Sequence, residues 1–386
     1  MSVNLPATAS DAVNQHRLAC GTVITTRTRV DLAGPIGPCT GTAIRIQANG
    51  ATLDCHLNPI VGSGTGSISN STDSIGIYLD GVTGVTIQNC VVRGFVEGIL
   101  LGNSSGNNLT SSVARASLCG FCLYNSSRNT LMENTADSSP IGFLLADSDT
   151  NDLRGNSGWN STVDGFAILN SDGNVLMNNF DLISLIGYLV ILSAGNTLQG
   201  NSAYGDQIGF SVIFSSANQL NYDIAGDNHL GGMILLNSTL NTLLGNIASD
   251  NGENLVSPNM TSFSSGGAGI LLLASNSNTL RGNVADSNYC LGVGLIGSSL
   301  NTIDENTETM NGIGAHWCSP GSESPAHGRN GLYFDTTSGG NRVQKNWADT
   351  NFGWGIQDGN LGPSNIYLGN VCVDNSEGGS SPPSLC

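Results

Sequence analysis

One phrase returns through most of the chain: a glycine, four mostly apolar residues, a Ser/Asn-rich turn, then Asn-x-Leu and a second Asn five residues after the first. The first Asn falls at Asn107, Asn129, Asn151, Asn174, Asn196, Asn218, Asn241, Asn278, Asn301, Asn341 and Asn365. Seven of the ten steps are 22 or 23 residues, one is 24, and the other two are lengthened by inserted loops. A fixed period of this length means a solenoid, whose units bury their apolar side only by stacking on one another.

The aligned columns say which solenoid. Two residues after each first Asn stands an apolar residue, Leu109 and Leu131 through Ile303, Val343 and Tyr367, so this column faces inward. A glycine precedes most first Asn positions by nine residues, as at Gly98, Gly120, Gly142 and Gly269, and is expected to start a strand. The second Asn recurs at Asn134, Asn156, Asn179, Asn201, Asn246, Asn283, Asn306, Asn346 and Asn370, with Asp223 the near-substitute. Stacked asparagines can bond amide to amide and to the backbone of the next coil, which makes these residues structural. Three short strands per turn with period-2 alternation predict an all-β chain: a right-handed parallel β-helix of about 12–13 coils. Its expected parts are a capping segment at 1–40, the solenoid at 41–375 with insertions near 57–74, 252–266 and 315–330, and a tail at 376–386.

Coils such as GILLLASNSNTLRGNVADSN at 269–288 resemble the NosD-like repeat group of the pectate-lyase-like superfamily. The opening CGTVITTRTRVDLAGPIGPC and the following GTAIRIQANGATLDC are similar to the first coils of its secreted members, and the resemblance spans residues 20–375. It implies the fold strongly and the chemistry weakly, since the superfamily holds lyases, hydrolases, epimerases and proteins with no known reaction. The Asp-Pro-His-Asp signature of mannuronan epimerases is absent.

Charge narrows the partners. With 12 basic against 29 acidic residues the formal net charge is −17, which repels nucleic acid and polyuronates alike. A lyase would need Ca2+ to bridge to an anionic glycan; a neutral glycan requires no cofactor, and no dedicated calcium motif is visible. No apolar run reaches membrane-spanning length, and MSVNLPATAS lacks the features of a signal peptide, so residue 1 is read as the start of a trimmed chain. Ten cysteines point to an oxidising compartment and so to a secreted, periplasmic or cell-surface protein. The expected pairs are Cys20 with Cys39, Cys55 with Cys90, Cys290 with Cys318 and Cys372 with Cys386, while Cys119 and Cys122 read as free buried thiols.

Departures from the repeat are where a solenoid places function. The insertions at 252–266 and 315–330 leave the same edge two coils apart and are expected to wall a cleft. The second holds His316, Trp317, Glu323, His327 and Arg329: a ring to stack on a sugar, histidines for acid–base work, and polar groups to bind. Seven residues after the first Asn the column reads Ala136, Gly158, Ala203, Ala225, Ala248, Ala285 and Ala348, but Asp181 and Glu308 interrupt it. A carboxylate there is costly unless paired, so Glu308 is the first catalytic candidate; a local register shift that turns it outward is the structural alternative. Asp286, Asp335 and Asp349 are its candidate partners, and Tyr289 and again Asp349 candidate substrate contacts. Arg281, Asp304, Glu305 and Lys345 read as surface charge ladders.

The strand after each glycine carries apolar residues on its outward positions too: Leu144, Leu189, Ile191, Ile213, Ile234, Leu236, Leu271 and Leu273. A patch this long is expected to be covered, by a second copy of the chain or by a packed segment. The functional expectation is a secreted polysaccharide hydrolase or lyase working in the cleft. Glycan binding without catalysis, a structural role and polymer-level epimerisation are the alternatives.

Overall fold

The computed structural model describes residues 15–64, 74–252, 267–313, 328–360 and 364–386. The chain winds into a right-handed parallel β-helix whose three sheets hold 15, 14 and 15 strands. A representative coil contributes Thr130–Met132, Thr135–Asp137 and Ile141–Ala146 to these sheets. They are named here the leucine, alanine and glycine sheets after the inward residue of each. Residues one period apart pair directly, Leu131 with Leu153, Ala136 with Gly158 and Phe143 with Phe166. More turns form than the expected 12–13 because the two ends take part. Gln15–His16 pairs with Arg29–Leu32, and Gly378–Ser381 adds the last strand of the glycine sheet.

Inward residues stack on their own kind. Phe121, Phe143, Phe166, Tyr188 and Phe210 form a continuous column with ring centroids 4.6–4.9 Å apart and planes within 6° of parallel. Glycine and alanine columns meet across the interior. A Cβ on Gly120 would come 2.7 Å from the Gly142 carbonyl oxygen and 2.9 Å from the Ala136 Cβ, so only the smallest residues fit. The glycine is the second residue of its strand, not the first, and the ladder pairing skips it.

Buried turn amides are satisfied by side chains of the next coil. Asn129 donates its backbone N–H to Asn151 Oδ1 at 2.8 Å, its Nδ2 to the same oxygen at 3.1 Å and to the Ser104 carbonyl at 3.0 Å. The second-Asn ladder repeats this geometry from Asn134 onward. Two further ladders stand beside the expected pair. One runs Asn228, Asn251, Asn288, Asn311 and Asn351. The other is made of serines such as Ser104, Ser126 and Ser148, each Oγ accepting a backbone N–H from the coil before. Because a buried unpaired N–H is expensive, four rows of polar side chains inside a β-solenoid are a requirement of its corners.

Cys20–Cys39, Cys55–Cys90 and Cys372–Cys386 are bonded as expected. Cys290 is disulfide-bonded too, and Cys318 lies outside the described residues. Cys119 and Cys122 are not free thiols but bonded to each other. Alternation alone would separate residues three apart, yet the skipped Gly120 lies between them and returns both to the outer face. On that face Leu144 and Leu271 are buried by neighbours within the chain, while Leu189, Ile191, Ile213, Ile234, Leu236 and Leu273 are half-buried. The expected charge ladder forms, with Glu305 bridging Arg281 and Lys345 at 3.1 Å each.

Among the described residues four acids sit inside the solenoid. Asp223 replaces an asparagine: its Oδ1 accepts from Asn201 N at 2.7 Å as an amide oxygen would, but its Oδ2 has no partner. In the next coil an Nδ2 in that slot donates to a carbonyl, Asn246 to Leu220 at 2.8 Å, so a proton on Asp223 restores the missing donor. Burial pushes Asp223 up to about 7, and Asp206, in the third Asn row, up to about 7 as well. Asp181 fits because Gly158 stands below it where other coils have alanine, and burial followed by the Asp206 charge raises it well above the ordinary range. Glu308, fully buried with both carboxylate oxygens unpartnered, is pushed by burial up to about 8.

Two outcomes are expected. Asn196→Ala removes the acceptor of the Asn174 N–H at 2.8 Å and should cost about 1–3 kcal/mol by urea denaturation, against less than about 0.5 for exposed Gln199→Ala; equal effects would contradict the ladder's role. Between about pH 5 and 8 the folded chain keeps protons that the unfolded chain has released, so stability falls as pH rises through that window. Glu308→Gln should therefore raise the melting temperature at pH 8 and flatten its pH dependence. A lower melting temperature than the unsubstituted chain at both pH 5 and pH 8 would contradict the protonated, buried carboxyl.

Candidate functional site

In each alanine-sheet triplet the middle residue faces the core and the first and third face out. Those outward residues fall six and eight positions after the first Asn. The third-position row reads Arg115, Asp137, Trp159, Leu182, Tyr204, Gly226, Ser249, Asp286, Thr309 and Asp349. Strand stacking at about 4.8 Å turns this sequence into a straight row along the helix axis.

Both long insertions leave at the end of this sheet. Gly252 and Gly267 bound the first, and a Cβ on Gly252 would lie 2.2 Å from the Gly267 Cα, so the segment departs and returns at one point. Their φ values of 101° and 88° are in the left-handed region that glycine tolerates. Gly312 and Arg329 close the second insertion in the same way. The coil of Asp286 lies between the two exits.

The expected site residues separate into groups. Asp286 and Asp349 share the outward row, one coil either side of Thr309, whose Oγ1 donates to Asp286. Trp347, 44% exposed, stands beside Asp349 on the same strand. Tyr289 lies at the base of the first insertion and Arg329 at the base of the second, its Nε buried without a partner among the described residues. Glu308 is withdrawn from the site: it remains in the inward column, in register with Ala285 and Ala348, where no polymer reaches it. Asp335 is withdrawn as well, because it closes the turn after Leu332–Phe334, accepting from Gly297 N, Thr337 N, Thr337 Oγ1 and Ser338 Oγ. Burial raises its pKa, but these hydrogen bonds outweigh it and hold the carboxyl below its ordinary value. His316, Trp317, Glu323 and His327 lie outside the described residues.

The opposite end of the row carries groups the sequence reading passed over. Trp159 is 43% exposed, its ring 5.6 Å from Phe180, which lies 6.2 Å from Tyr204. Arg115 Nε is 3.3 Å from Asp137, and these two with Thr135 and Trp159 line a surface hollow of about 260 Å³. The signal was available by counting: Arg115, Asp137, Trp159 and Tyr204 each stand eight residues after a first Asn, as Asp286 and Asp349 do.

A second polar cluster occupies the first coils of the leucine sheet. Arg29 reaches Asp31 at 3.1 Å and Asp54 at 2.9 Å, and His56 Nε2 lies 3.0 Å from Asp31. Gln88 and Asn89 also donate to Asp54. Burial raises both acids, but the donors around them win and both carboxyls sit below their ordinary range. This is a saturated ionic network.

A search of curated proteins gave no match. Among solved structures, similarity extends to the A-module of the Azotobacter vinelandii mannuronan C-5 epimerase AlgE4, with 14% identity over 94% of this chain and 88% of that one and a TM-score of 0.49. A double mutant of the periplasmic alginate epimerase AlgG gives 14% identity, 91% and 78% coverage and a TM-score of 0.47. The Dettilon tailspike protein gives 13%, 81% and 60%, and 0.42. Overlaps at this level say nothing of what this chain acts on. The sequence model described as "Periplasmic copper-binding protein (NosD)" matches residues 39–181 and 251–381, well over half the chain. On that match, and with the repeat and winding described above, the chain belongs to the NosD family.

Proposed function

We propose that the protein is an extracytoplasmic hydrolase of a neutral polysaccharide, with the polymer lying along the outward row of the alanine sheet and cleaved beside the second insertion exit, between Asp286 and Asp349. The observation that carries this reading is the shared row of Asp286 and Asp349. Two strand spacings put their backbones about 10 Å apart, near the upper end of the roughly 6.5–9.5 Å between carboxyl groups in inverting glycosidases. Asp286, held by the Thr309 hydroxyl, suits the base that takes a proton from water, and Asp349 the acid that protonates the leaving oxygen. Exposed Trp347 offers a ring for the sugar beside them. Binding without cleavage is the second reading, favoured by the aromatic groups at the far end of the row.

The donors copper prefers are imidazole, thiolate and thioether. Among the described residues the one group of three or more His, Cys, Asp or Glu that could hold an ion is Asp31, Asp54 and His56. It offers a single imidazole and two carboxylates already engaged by Arg29, and the described cysteines are in disulfides. That set does not fit copper. Ca2+ would enter only with an anionic substrate. The disulfides fit an oxidising compartment, and no described helix is long and apolar enough to cross a membrane.

Release of reducing ends from a panel of neutral polysaccharides, without unsaturated products, is the expected result, and Asp286→Asn or Asp349→Asn should lower it at least 100-fold with the melting temperature kept. Activity retained in both variants would remove the pair from the chemistry. The reading includes a second copy of the chain on the half-buried rows of the glycine sheet. Light scattering should then show a dimer that Ile191→Lys with Ile213→Lys converts to monomer; a monomeric wild type would end that part of the proposal.

A further inference from the structure

The Arg115 end of the row lies about 24 Å, five strand spacings, from Asp286 when measured from Trp159. A large, partly exposed indole on a sheet surface is expensive to leave in water, and here its neighbours fix it in place. Phe180 tilts against it at 49°, Tyr204 tilts against Phe180 at 34°, and Tyr204 in turn lies over Gly226, where a Cβ would come within 2.5 Å of its ring. Each ring comes from a successive coil, so the platform is as rigid as the ladders below it. The hollow beside Trp159 adds a guanidinium and a carboxylate that already bond each other, giving donors and acceptors with nearly balanced charge.

We propose that Trp159, with Arg115, Thr135 and Asp137, is a docking subsite for a neutral glycan chain that runs along the alanine sheet toward Asp286. The chemistry selects the occupant. The apolar face of a pyranose stacks on an indole, while its hydroxyls exchange hydrogen bonds with the fork of an arginine and the oxygens of an acid. Arg115 is neutralised by Asp137 and the chain carries a net charge of −17, so a polyanion finds no compensating field. A protein partner would need a wider apolar surface than one hollow of about 260 Å³. Preorganised rings lose little entropy on binding, which suits them to hold a polymer between cleavage events.

The inference rests on the reading of this sheet as a polysaccharide surface, and it is tested separately from the chemistry. Affinity electrophoresis and calorimetry with neutral polysaccharides and one polyuronate would compare wild type, Trp159→Ala, Trp159→Phe, Arg115→Ala and the Asp286→Asn variant. Wild type should be retarded by at least one neutral glycan and not by the polyuronate. Trp159→Ala should weaken that binding at least tenfold, Arg115→Ala severalfold, and Trp159→Phe little, while Asp286→Asn binds as wild type. On long substrates Trp159→Ala should raise KM with kcat kept. Unchanged affinity in Trp159→Ala, retardation by the polyuronate alone, or no retardation by any glycan would overturn the subsite. Loss of binding in Trp159→Ala together with full turnover in Asp286→Asn would sink the catalytic reading and leave the subsite standing. The Trp159→Phe variant and far-UV circular dichroism guard against a loss that comes from misfolding.

Discussion

The structure depends on one interaction, the acceptance of a buried backbone N–H by the side-chain oxygen of the residue one coil further on. A parallel β-helix turns three corners per coil, and at each corner the strand ladder lapses while the chain stays buried. Asn156, Asn179 and their equivalents supply an oxygen to the coil before and an Nδ2 to the coils on either side, so each amide bonds in both directions along the axis. Serine does the same with one hydroxyl, Ser148 Oγ accepting from Ser126 N and lying within donating distance of the Leu123 carbonyl. The apolar columns contribute the larger transfer free energy and, by alternating with outward residues, already disfavour a slip by one residue. A ladder of amides spaced by one coil sharpens that choice, since the same slip would leave several buried donors without acceptors.

Fixed register makes the outside of the molecule a grid. Rows such as Arg115–Asp137–Trp159 and Asp286–Thr309–Asp349 arise because residues distant in sequence by one period are neighbours at strand spacing. Function is then written on outward positions without disturbing the winding. The inside is less permissive, and where an acid intrudes the surroundings adjust: Gly158 makes room for Asp181, and the amide slot accepts Asp223 in its protonated form. These acids mark the middle of the solenoid as the part most sensitive to alkaline pH.

The winding, the Leu column, the two Asn ladders and three of the disulfides were legible in the sequence because each repeats at the same offset or pairs across it. The third Asn row was harder to see, since Ser117, Ser139 and Asp206 occupy it in the early coils and dilute the signal. The Cys119–Cys122 bond was missed because alternation places residues three apart on opposite faces, and only the skipped glycine brings them together. Glu308 drew attention as an acid in a small column, which is correct as chemistry; its inward direction follows from the column itself and excludes contact with a polymer. Asp286 and Asp349 were legible as candidates beside the 315–330 loop, whereas Trp159, equally readable eight residues after an Asn, lies far from any chemically rich insertion and so carried no local signal.

Hydrogen exchange at single-residue resolution tests the central interaction most directly. The backbone amides of Asn174, Asn196 and Asn218, each bonded to a side chain rather than to a strand, should exchange as slowly as the strand amides of Leu176, Leu198 and Leu220. Exchange of those asparagine amides at the rate of an amide with no hydrogen bond would contradict the account.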